Sequence, residues 1–100
     1  MAKRKNSKGL SEAKRRIEQA AAVSALDLDL ISLGITELPE TISQLKQLQE
    51  LDLSGNQISS VPESLGQLTA LELLDLSDNQ LTFLPASLRK LSQLKKFFRI

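Results

Sequence analysis

Apolar and polar positions recur along this chain with a period of 23 residues. Over 48–70, "LQELDLSGNQISSVPESLGQLTA", Leu48, Leu51 and Leu53 lead to Asn56, Ile58, Val61, Pro62, Leu65 and Leu68. Over 71–93, "LELLDLSDNQLTFLPASLRKLSQ", the same places hold Leu71, Leu74, Leu76, Asn79, Leu81, Leu84, Pro85, Leu88 and Leu91. One period earlier, 25–47 keeps Leu28, Leu30, Ile35, Leu38, Pro39, Ile42 and Leu45, but has Ala25 at the opening position and Leu33 at the asparagine. One period later, 94–100 opens a partial copy with Leu94 and Phe97, then sets Arg99 where an apolar residue belongs. Within a copy, the LxL stretch alternates with period two, which predicts a short strand. After the proline, Leu65/Leu68 and Leu88/Leu91 stand three apart, which predicts a short helical or 3₁₀ segment. A single strand–turn–helical unit cannot bury its leucines alone, but stacked copies form a continuous core and a parallel sheet.

Ahead of the repeats, "LSEAKRRIEQAAAVS" (10–24) changes period. Leu10, Ala13, Ile17, Ala20, Ala21 and Ser24 mark one helical face, and Lys14, Arg15, Glu18 and Gln19 the other. Ser11 is the expected N-cap, with Glu12 in the first turn. The segment predicts an amphipathic helix that covers the first coil. Residues 1–9, "MAKRKNSKG", have almost no apolar content and are expected to form a disordered basic tail.

The pattern LxxLxLxxNxLxxLPxxLxxLxx at 48–70 and 71–93 resembles the leucine-rich repeat family, over residues 25–97. It is similar to the "LPxxLxxL" arrays of Ras-pathway scaffolds and to bacterial arrays that sometimes precede a GTPase domain. The resemblance implies an α/β solenoid, a short leucine-rich repeat coil with a parallel concave sheet, helical or 3₁₀ convex segments and an N-terminal capping helix. It also implies a non-catalytic protein-binding scaffold whose partner is a small GTPase or kinase in signal transduction; the lack of Cys and of a signal-type apolar stretch gives the expectation of a cytoplasmic protein. The alternatives are a fragment or regulatory part of a larger leucine-rich-repeat enzyme of GTPase or kinase type, and a scaffold whose basic N-terminus binds nucleic acid or anionic membrane. Residues 1–16 carry the charge for that last role, but no aromatic is interleaved with it for base stacking.

Composition narrows the chemistry. There is no His and no Cys, so the commonest general base and the thiolate ligands are missing. Gly9, Gly34, Gly55 and Gly66 are scattered singly and form no phosphate loop. No catalytic residue, cofactor or metal is therefore expected. "DLSGNQISSVPE" (52–63) offers Asp52, Ser54, Asn56 and Glu63 at the spacing of a calcium loop. Gln57 stands at its obligatory glycine, however, and the next copy has Ala86 at the twelfth position. Asn56 and Asn79 read instead as structural side chains that bond the backbone of the turn. No apolar run reaches the ~18 residues that span a bilayer.

Charge is segregated along the chain: residues 1–16 carry +6, 17–94 carry −8, and the last six +3. The outward positions of the strands, taken at the repeat spacing, are Asp27, Asp29 and Ile31, then Glu50, Asp52 and Ser54, then Leu73, Asp75 and Ser77. These nine residues form the candidate partner-binding face, built on an acidic column that favours a protein with a basic surface. The last coil has no polar helix after it in this sequence, so the array either continues or a second copy covers its edge as a homodimer.

Overall fold

The protein is described by a computed structural model over residues 7–99. Helix α1 (Ser7–Val23) precedes three alternations of strand and 3₁₀ segment: β1 (Asp27–Asp29), η1 (Glu40–Gln44), β2 (Glu50–Asp52), η2 (Glu63–Gln67), β3 (Leu73–Asp75) and η3 (Ala86–Lys90), closed by β4 (Lys96–Phe98). The four strands lie in chain order in one parallel sheet. Each strand is displaced from the last by the 23 residues of the repeat, so Leu28, Leu51, Leu74 and Phe97 fall in one row.

The convex segments are 3₁₀ helices because each begins at a proline. Pro39, Pro62 and Pro85 have φ of −58°, −70° and −65°, and the N–H three residues on donates to the proline carbonyl at 3.1 Å in every coil. A further bond of the same kind joins Leu45, Leu68 and Leu91 to Ile42, Leu65 and Leu88. Residues three apart eclipse in such a turn, so both members of each pair face the sheet. Between the layers, Leu30, Ile42, Leu45, Leu48, Leu51, Leu53, Leu65, Leu68, Leu71 and Leu74 are fully buried. Burying a leucine is worth about 1.5–3 kcal/mol, and identical wedges in successive coils replace the aromatic anchors that the chain lacks.

The turn after each strand needs a left-handed residue. Ser32, Gly55 and Asp78 stand at the same repeat position with φ of 53°, 73° and 56°. Glycine meets that demand without a Cβ penalty, and at 55 a Cβ would also lie 2.6 Å from the Ser32 hydroxyl.

Helix α1 starts three residues earlier than expected, and Ser11 lies inside it rather than capping it. The reason is tertiary. Gly9 sits so close to the first coil that a Cβ there would be 1.9 Å from the Leu33 carbonyl oxygen, a contact that propensity alone does not signal. Ser7–Gly9 therefore belong to the cap, while the rest of the expected basic tail, 1–6, lies outside the described residues. Ala13, Ile17 and Ala20 are buried and Leu10 is half-buried, but Ala21 and Ser24 are exposed, against expectation. The helix has already closed there: Ala25 N–H donates to the Ala20 carbonyl at 2.9 Å, and Ser24 turns left-handed at φ 51°. No helix among the described residues is long and apolar enough to cross a membrane.

Candidate concave interaction face

Two columns of side chains run across the sheet on its outward side. The register sets Asp27, Glu50, Leu73 and Lys96 in one, and Asp29, Asp52, Asp75 and Phe98 in the other. They are outward because the alternate row, Leu28, Leu51 and Leu74, is buried between the layers. A depression of about 230 Å³ opens over the first two strands, bounded by Asp27, Asp29, Ile31, Glu50, Asp52 and Leu73. Six of the nine sequence-predicted residues thus meet at one hollow.

Ile31, Ser54 and Ser77 differ from expectation. The strands end at Asp29, Asp52 and Asp75, so these three lie in the following turn. Their N–H groups donate to the aspartate Oδ1 two residues back, at 2.8, 3.0 and 3.0 Å. The Ser54 hydroxyl donates to the same oxygen of Asp52 at 2.7 Å, and the Ser77 hydroxyl to that of Asp75. Each aspartate therefore fastens its own turn through one oxygen and keeps the other for solvent or a partner. Coil-to-coil bonding persists through the turn, with Ser32 N–H donating to the Ser54 carbonyl and Gly55 N–H to that of Ser77.

The asparagines do more than bond their own turn. Asn56 is 5% exposed; its amide donates to the Leu53 carbonyl within the coil and to the Leu30 carbonyl of the coil before, both at 2.9 Å. Its Oδ1 accepts from the N–H groups of Leu33 and Ile35 at 2.8 and 3.2 Å. Asn79 repeats the scheme one coil on, donating to the carbonyls of Leu53 and Leu76 and accepting from Ile58 N–H. In the first copy, which helix α1 precedes among the described residues, Leu33 takes this place and packs half-buried on the core instead.

The calcium-loop set is divided between the layers. Asp52 is on the sheet and bonded to Ser54, Asn56 is buried in the turn, and Glu63 opens η2 on the convex side.

Arg16 was missing from the predicted face. Its Nη1 donates to the Asp29 carbonyl at 2.8 Å, on the edge of β1 that pairs with no strand among the described residues, and its Nε donates to Glu12 Oε2 at 2.7 Å. Arg15 binds the same carboxylate through Nε and Nη2 at 3.0 and 2.6 Å. Together the two guanidiniums hold the Glu12 carboxyl well below its usual range, at about 2. The four-residue spacing of Glu12 and Arg16 signals the ion pair between them, but nothing in the sequence marks the reach of Arg16 to a backbone carbonyl.

Repeated coils, a parallel sheet with 3₁₀ segments behind it and an asparagine ladder joining the turns define a leucine-rich repeat protein. The family model described as "Leucine-rich repeat region" matches residues 20–99, and the chain belongs to that family. Among solved structures, the chain is similar to the leucine-rich repeat domain of the type III effector XopL, with a TM-score of 0.83 and 26% identity over 92% of this chain. It is also similar to the Leptospira interrogans leucine-rich repeat protein LIC12759, with a TM-score of 0.66 and 37% identity over 76% of this chain. It spans 31% and 22% of the lengths of those two chains. No curated protein matches it. Domains of this family are, as a class, protein-interaction modules.

Proposed function

We propose that the chain is a non-catalytic protein-binding module that takes a partner with a basic surface on its concave face. The alignment of Asp29, Asp52 and Asp75 in adjacent parallel strands carries this reading. Like charges held at the inter-strand spacing of about 4.8 Å raise the local negative potential, and each retains an oxygen that the turn does not use. Exposed Ile31 and Phe98 flank the column and offer apolar contact beside it. The assignment of that partner to small-GTPase or kinase signalling rests on the likeness to Ras-pathway scaffolds.

Affinity capture with the full chain, followed by calorimetry on the captured partner, tests the proposal. In the triple variant Asp29→Asn, Asp52→Asn and Asp75→Asn, each side chain keeps an acceptor oxygen for its turn but loses its charge. Affinity should fall by about tenfold or more, and the salt dependence should flatten. The convex pair Glu40→Gln and Glu63→Gln should change little. Unchanged binding by the triple variant removes the concave face from consideration.

A further inference from the structure

The two outward columns do not carry uniform charge. Taken strand by strand, the outward pairs are Asp27 with Asp29, Glu50 with Asp52, Leu73 with Asp75, and Lys96 with Phe98. Formal charge therefore runs −2, −2, −1 and +1 across the four strands. The change of sign coincides with a change of surface. Leu73 is half-buried on β3, and Phe98 presents 45% of its surface on β4, so apolar contact begins at β3 and continues beside Lys96 at the basic end. Lys96 is exposed and makes no ion pair among the described residues, whereas its neighbour Lys95 lies 3.9 Å from Glu72.

We infer that the concave face reads charge order, selecting an extended peptide segment that is basic over β1 and β2, apolar over β3, and acidic over β4. This deepens the proposed function and rests on it. Four strands about 4.8 Å apart span about 14 Å, which an extended peptide crosses in about four to five residues. A peptide lying across the strands meets the columns side chain to side chain, and the pairing edges of the sheet are not used. A uniformly basic segment meets Lys96 at one end, and a segment with its charges interleaved sets an acidic residue over the acidic strands β1 and β2. Only the segregated order meets opposite charge over β1, β2 and β4 together.

Fluorescence anisotropy at low salt on the full chain tests this with three labelled peptides. One is Lys-Arg-Leu-Leu-Asp-Glu, one has the same composition with the charges interleaved, and one is Lys-Arg-Leu-Leu-Lys-Arg. The segregated peptide should bind about threefold or more tighter than the interleaved one. Lys96→Glu should weaken the segregated peptide about threefold and strengthen the all-basic one about threefold, moving their ratio about tenfold; Lys96→Gln, which only removes charge, should move it about half as far on a logarithmic scale. A ratio that moves less than twofold in both variants overturns the charge-order inference. If the Asp29, Asp52 and Asp75 triple still weakens the all-basic peptide in that case, the acidic-face reading stands without it. If no peptide binds and the triple changes nothing, both fall.

Discussion

The two ends of the sheet are finished differently. At β1, helix α1 lies against the strand, buries Ile17 and Ala13 beside the first leucines, and sends Arg16 to the open Asp29 carbonyl. At β4, no described element lies beyond the strand, and Phe97, in the row where Leu51 and Leu74 are fully buried, is 42% exposed. The same row thus holds a solid core in the middle and a half-wetted ring at one end. A coil's stability is largely lent by its neighbours, as nearest-neighbour stacking requires.

Substitutions along that one row should break the comparison if it is wrong, and they carry the largest expected effect. Leu51→Ala, between two coils, should cost about 2–5 kcal/mol, and Phe97→Ala about 1 kcal/mol or less, read by urea denaturation. Equal losses would mean that the last coil is as firmly packed as the second. A smaller effect separates the turns. Asn56→Ala removes bonds to two N–H groups and two carbonyls of the backbone in two coils, and should cost about 2–3 kcal/mol; Asn79→Ala, at a half-buried site, should cost about 1 kcal/mol less. A reversed order would place the weak joint at the first coil.

The smallest effect lies in the helix and depends on pH. Glu12 has its carboxyl lowered from an ordinary 4.5 to about 2 in the folded state. A lowered acid contributes stability that is present above 4.5 and is lost as pH falls toward 2. The difference in melting temperature between the protein and Glu12→Gln should therefore be steady from pH 7 to about 5, shrink below 4.5 and close near 2. A difference unchanged at pH 2 would show that Glu12 acts through something other than its charge.

The repeat makes most of this fold legible in the sequence. Coils of equal length with a period-two LxL fix both which side chains point inward and the register of every strand, so Asp29, Asp52 and Asp75 could be aligned from spacing alone. What spacing could not show were contacts made between elements rather than within the period. Ser7–Gly9 are helical because glycine lets the helix approach Leu33, and no propensity anticipates that. Arg16 reaches a backbone carbonyl, which leaves no mark on a partner residue. The second job of the aspartates, fastening the turn to Ile31, Ser54 and Ser77, was likewise hidden, because an Asx turn and an exposed acid share one sequence pattern.

The asparagine bonds have a direction. Asn56 reaches back to Leu30, Leu33 and Ile35, and Asn79 reaches back to Leu53 and Ile58. Losing a coil from the C-terminal side takes its asparagine away with it. Losing one from the N-terminal side strands an amide whose acceptors have gone. Shortening from either side breaks the same bonds but leaves different orphans, backbone groups on one side and an asparagine side chain on the other, and a chain emerging N-terminus first meets each coil's backbone before the asparagine that must lock onto it.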